Sequence, residues 1–253
     1  MREQHEQHFG FRRTGNLDMS EGDPRTAEEA IAMPPDPREI EVVRRRLRDA
    51  QGEFVPHRRL PVLDEVIATV LSQHTSDRNS ERAFALLKEK FPAWEDVLLA
   101  ASEQVADAIR CGGMADQKAH RIQQILTIVE QREHRLDLAR LHELSDAEVE
   151  DYLTSLPGVG PKTAACALVF AMGRDAFPVD THVHRIVTRL GWIPPETTAD
   201  RTYRVLGPII PLSARYDLHV ALIEHGRTIC TAQRPRCAAC VLRDLCPYAT
   251  RGV

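Results

Sequence analysis

From residue 38 onward, apolar residues recur at helical spacing. Val62, Leu63, Val66, Ile67, Val70 and Leu71 fall at i, i+1, i+4 and i+5 positions and line one face of a helix. Ile122, Ile125, Leu126 and Val129 repeat the pattern. Ser145, three residues ahead of Glu148, reads as a capping box that opens a helix ending near Leu156. No stretch sustains period-two alternation, and no Asn-Gly or Asp-Gly pair marks a hairpin. Breaks near Pro56, Pro61, Pro92, Gly112-Gly113, Pro157, Pro178 and Pro194-Pro195 divide the chain into about ten short helices. The pattern predicts an all-α fold without internal repeats. Residues 1–37 are polar and end in Met33-Pro34-Pro35-Asp36-Pro37, which reads as a flexible extension with no core of its own.

Length and composition narrow the classes. The 253 residues, 43% of them hydrophobic, suffice for one large domain or two small lobes. The apolar run Cys166 to Met172 is about the longest, far short of the roughly 20 residues of a membrane span. The N-terminus has no basic-then-apolar signal, and nine acids among the first forty residues argue against a transit peptide. A leaderless cytoplasmic protein is expected, and the Arg-heavy composition suggests a bacterial one. The net charge of −4 seems at odds with a nucleic-acid partner, but its distribution matters more than its sum. Residues 1–40 hold five Arg against nine acids, whereas residues 201–253 hold eight Arg against three. Only four of the 33 basic residues are lysines: Lys88, Lys90, Lys118 and Lys162. Where Arg supplies ordinary positive charge, a Lys in a special setting raises the question of whether its amine is needed as an amine.

Three constellations could carry chemistry. Cys230, Cys237, Cys240 and Cys246 read C-x6-C-x2-C-x5-C. In a reducing compartment a metal centre explains them better than disulfides, and spacing alone admits zinc or an iron–sulfur cluster. Arg227, Arg234, Arg236 and Arg243 interleave with them and offset the centre's negative charge. Leu156-Pro157-Gly158-Val159-Gly160-Pro161-Lys162-Thr163-Ala164 reads as a glycine turn followed by a helix starting around Gly160. Free N–H groups at such a start suit a phosphate, although glycine turns also join helices with no further purpose. Pro178-Val179-Asp180-Thr181-His182-Val183-His184-Arg185 places Asp180 just before a helix, as an N-cap or as a catalytic carboxylate facing Lys162. His182 and His184 do not share a helix face and read as ordinary partnered histidines. Arg185 is expected to meet a phosphate or an acid of the fold.

Together, LPGVGPKTA, PVDTHVHR and the four cysteines, in that order, resemble the endonuclease III family of DNA glycosylases over roughly residues 38–250. The resemblance implies a six-helix barrel lobe (61–174) with a helix-hairpin-helix, and a second helical lobe from 38–60 plus 175–253. It implies a [4Fe-4S] cluster on Cys230, Cys237, Cys240 and Cys246. Duplex DNA with damaged bases or abasic sites is the implied partner, bound by a monomer, with the hairpin peptides of Leu156, Gly158, Val159, Gly160 and Thr163 gripping its backbone. Lys162 would be the nucleophile of a bifunctional glycosylase and AP lyase acting on oxidised pyrimidines, with Asp180 assisting. Other readings are a mismatch or oxidised-purine glycosylase on the same scaffold, and a damage-binding protein with little turnover.

The family's gap-filling Gln lies in the pattern L-S-x-Q-x-T-D. Here Leu71-Ser72-Gln73-His74-Thr75-Ser76-Asp77 puts His74 at that register, with Gln73 one residue early. The family's wedge residue corresponds to Met114 in Gly113-Met114-Ala115.

Overall fold

The amphipathic helices are joined by short turns, several of them marked by glycine, proline or a capping side chain. A computed structural model describes residues 34–52, 54 and 59–250, all within one compact unit. The expected extension lies largely outside the described residues, as does the break at Pro56. Among the described residues there are twelve α-helices and no strand. In order they are α1 (Pro37–Gln51), α2 (Val62–Ser72), α3 (Asp77–Lys90), α4 (Trp94–Leu99), α5 (Ser102–Ile109) and α6 (Ala115–Glu133). There follow α7 (Asp146–Thr154), α8 (Pro161–Cys166), α9 (Thr181–Arg189), α10 (Ala199–Ile209), α11 (Leu212–Thr228) and α12 (Pro247–Thr250). Among these residues no helix is long and apolar enough to cross a membrane.

The apolar faces read from the sequence are the buried faces. Val62, Leu63, Val66, Ile67, Val70 and Leu71 of α2 are all buried, as are Ile122, Ile125, Leu126 and Val129 of α6. The capping box at α7 is present: Ser145 Oγ accepts from Glu148 N, and the Glu148 carboxylate accepts from Ser145 N at 2.8 Å. Helix α8 opens at Gly160, with Pro161 in its first turn where a missing N–H costs nothing. It widens into a π-helical turn over Ala167–Ala171.

Two hydrophobic cores organise the unit. One gathers buried residues from Val62 to Ala176, that is, from α2 to α8 and the turn beyond. The other joins Ile40, Val43 and Leu47 of α1 to Phe177 and the residues that follow, through Cys246. Both ends of the described chain thus share a core because α1 packs along α11, which also packs on α9. Burying these faces at roughly 25 cal/mol per Å² supplies most of the stabilisation. A segment without regular secondary structure, 173–180, carries the chain from the first core to the second.

Candidate active site

Glycine and proline place the first half of the site. Leu156 and Val159 are buried, so only their peptide groups can face a ligand. Gly158 has φ of 73°, a left-handed conformation that favours glycine. Its Cα also lies against the Arg121 guanidinium, where a Cβ would collide. Arg121 Nη1 donates to Gln73 Oε1 at 3.3 Å, and Gln73 Nε2 donates to the Gly158 carbonyl at 3.1 Å. The turn and the end of α2 are therefore tied together.

Beyond the turn, α8 carries Lys162 into a cleft of about 1830 Å³. The cleft is lined from both cores, by Glu65, Lys162, Cys166 and Phe170 on one side and by Asp180, His182 and His219 on the other. Asp180 is the N-cap of α9: its Oδ1 accepts from His182 N at 2.8 Å and Val183 N at 2.7 Å. Asp180 thus caps α9 through Oδ1 while lining the cleft. Burial alone would lower the Lys162 pKa, but Cys166, Asp180 and Glu65 carry it the other way, and the net direction is up. Burial raises the Cys166 thiol. Cys166, one turn along α8, is also a hydrogen-bonding neighbour of Lys162. Burial likewise raises the Glu65 carboxyl. The amine is thus held toward its ammonium form, with Asp180 and Glu65 among its charged neighbours.

At the mouth of the cleft, Asp77 of α3 meets Arg227 of α11 at 2.5 Å, so Arg227 is committed here and is not offsetting charge among the cysteines. Helix α2 ends at Ser72, and the chain leaves it through Gln73 in extended conformation and exposed His74 at φ 55°. Met114, at φ 49° and 49% exposed, opens α6. A left-handed conformation in a non-glycine residue costs about 1–2 kcal/mol, and such outliers cluster at binding sites. Lys118 behind Met114 is buried, its Nζ donating to the carbonyls of Leu71 at 2.7 Å and Gly112 at 2.9 Å. Its amine is a structural cap of the α2 end, a use that its rarity in the chain did not reveal.

The four C-terminal cysteines carry no disulfide, and burial raises the Cys240 thiol above its ordinary value. Donors surround them: Arg189 Nη1 lies 3.1 Å from Cys230 Sγ, Leu242 N 3.4 Å from Cys240 Sγ, and His225 Nε2 3.4 Å from the same sulfur. Such donors stabilise anionic sulfur. Four thiolates with such donors fit an iron–sulfur cluster. Arg185, expected to meet a phosphate or an acid, instead donates to the carbonyls of Cys230 and Gly226, both at 2.9 Å, and to His182 Nδ1 at 3.0 Å. His184 Nδ1 pairs with Thr202 Oγ1 at 3.0 Å.

Residues 67–211 match the model of the HhH-GPD superfamily of base excision DNA repair proteins. The chain belongs to this superfamily. Residues 230–246 match the iron-sulfur binding domain of endonuclease III, so the superfamily member described here is of the endonuclease III type and carries a [4Fe-4S] cluster. Over 186 residues the chain is 36% identical to endonuclease III of Thermotoga maritima, covering 74% of this chain and 83% of the relative. A candidate DNA glycosylase of Arabidopsis thaliana is 45% identical over 170 residues, covering 67% of this chain and 58% of the plant protein. The fold matches the structure of a trapped endonuclease III–DNA covalent intermediate with a TM-score of 0.72 and 28% identity, covering 86% of this chain and 98% of that one. As an HhH-GPD protein it is an endonuclease III-like DNA glycosylase/AP lyase that binds DNA.

Proposed function

We propose that this glycosylase removes oxidised pyrimidines from duplex DNA and then cuts the strand, with Lys162 as nucleophile and Asp180 as its assisting carboxylate. The supporting observation is the shared cleft: Lys162 from the first core faces Asp180 from the second, each within reach of the other's charge. Base removal requires the nucleotide to leave the stack, because the sugar C1′ is otherwise inaccessible. The Lys162 ammonium gives up a proton to a neighbouring carboxylate. The free amine then forms the N–C1′ bond as the base departs with the C1′ bonding pair. Opening of the sugar ring yields an iminium, and loss of a C2′ proton expels the 3′ phosphate by β-elimination. Arg could not act in this way because it stays protonated.

The two cores act in this reading as two lobes, 61–174 and 38–60 plus 175–253, with the DNA entering along the cleft between them. The peptides of Leu156, Gly158, Val159, Gly160 and Thr163 hold the backbone. Met114 wedges into the stack. His74 fills the gap left by the flipped base, because both ends of the Gln73 amide are already engaged with Arg121 and Gly158. Cys230, Cys237, Cys240 and Cys246 hold the cluster, whose part is to shape the C-terminal loop, and the protein works as a monomer.

Single-turnover excision on duplexes carrying thymine glycol, a G:T mismatch or 8-oxoguanine tests the substrate class. Thymine glycol should be released fastest. Faster release of the mismatched or oxidised purine would overturn the pyrimidine reading. A larger loss of excision from Gln73→Ala than from His74→Ala would overturn the gap assignment.

A further inference from the structure

His219, on the inner face of α11, is a buried polar residue at the back of the cleft that the mechanism above leaves unused. Its Nδ1 lies 2.8 Å from the Pro178 carbonyl oxygen. A carbonyl can only accept, so Nδ1 carries the proton and the neutral ring has its lone pair at Nε2. Pro178 sits two residues before Asp180, within the irregular segment that crosses between the cores and has no helix or strand of its own to hold it. The ring itself is clamped by aromatics. Phe170 lies 5.7 Å away, tilted by 50°, and Phe177 6.4 Å away, edge-on at 82°. Phe170 belongs to the π-helical turn that continues the Lys162 helix, and Phe177 to the crossing segment. One side chain thus touches the support of both groups that face the cleft.

We propose that His219 is a positioning residue for excision, whose Nδ1–H···O=C bond to Pro178 fixes the Pro178–Asp180 segment and so holds the Asp180 carboxylate toward Lys162. This rests on the assignment of Lys162 and Asp180 given above. The charged groups facing the ring are Asp180, Lys162 and Arg227. A second positive charge on the ring would repel the Lys162 ammonium, and burial holds the imidazole pKa down at about 4, so the tie is made by the neutral form. The ring's hydrogen bond and ring contacts go to Pro178, Phe170 and Phe177. Its loss is therefore expected in the chemical step and not in DNA affinity.

The test compares wild type, His219→Leu and His219→Asn, each holding its cluster, by single-turnover excision and by equilibrium binding to the same damaged duplex. Asn places an N–H where Nδ1–H stands, whereas Leu fills the volume without a donor. His219→Leu should lose roughly 10- to 100-fold in the excision rate, about 1.4–2.7 kcal/mol of barrier, with Kd within about 3-fold of wild type. His219→Asn should recover most of the rate. Should His219→Leu fold poorly, His219→Gln serves in its place, since it keeps an amide but sets the donor one bond too far, and it should fall short of Asn. Equal rates for wild type and the donor-lacking variant would overturn the proposal, as would a folded His219→Asn no faster than His219→Leu. A wild type that fails to excise would instead count against the parent assignment.

Discussion

Substituting Gly158 by Ala tests whether the glycine turn and the α2 end form one unit. At φ 73° an added Cβ costs roughly 1 kcal/mol of backbone strain. The Cβ would also overlap Arg121 Cδ and Nε and lie 2.7 Å from Cζ, so the guanidinium must swing away. Arg121 then gives up its 3.3 Å bond to Gln73, and the 3.1 Å bond from Gln73 to the Gly158 carbonyl is strained. At about 1 kcal/mol per bond, the total is roughly 2–3 kcal/mol. For a chain of this size that is a fall of about 5–10 °C in Tm. Arg121→Ala alone should cost about 1 kcal/mol. The double variant relieves the collision and should cost about 2 kcal/mol rather than the roughly 3–4 kcal/mol of simple addition. Thermal unfolding of the four proteins with clusters intact gives the cycle, and binding to an abasic duplex should weaken in parallel with the Gly158→Ala loss. Additive costs, or a single-variant loss below about 2 °C, would refute the coupling.

Cys237→Ser should abolish the visible iron–sulfur absorbance and increase proteolysis of the 230–246 loop; a variant that keeps the absorbance would refute the assignment of this ligand. Burial places the His219 pKa at about 4, below its unfolded value near 6.5, so the unfolded chain takes up the extra proton as pH falls. Its contribution therefore drops by about 2 kcal/mol between pH 7 and pH 5, and denaturant unfolding of His219→Asn should show that much less acid sensitivity; an unchanged pH dependence would contradict it. Met114→Ala should raise Kd for an abasic duplex about 10-fold without altering the slope of log Kd against log salt, because the side chain is uncharged. A changed slope would mean that the substitution disturbs phosphate contacts.

Periodicity made the helices legible because α2 and α6 each bury one unbroken apolar face. The junction of α4 and α5 was not legible: Ala100 and Ala101 break the helix with no glycine or proline. The π-helical turn after α8 is equally silent, since Ala167-Leu168-Val169-Phe170-Ala171 reads as ordinary helix. Motif spacing brought Lys162 and Asp180 forward, and both line one cleft. Lysine scarcity alone would have chosen Lys118 as readily, although that amine is spent on two backbone carbonyls. Residues whose roles depend on long-range partners left no local signal. Arg189 reaches Cys230 from 41 positions away, and His219 reaches Pro178 from the same separation.

The most direct measurement is borohydride trapping of wild type and Lys162→Gln on an abasic duplex, with DNA binding of both proteins measured alongside. A covalent protein–DNA adduct with wild type only, at matched affinity, is the predicted result. An adduct formed equally by Lys162→Gln, or no adduct with a wild type that binds the duplex tightly, would contradict the assignment of Lys162 as the nucleophile.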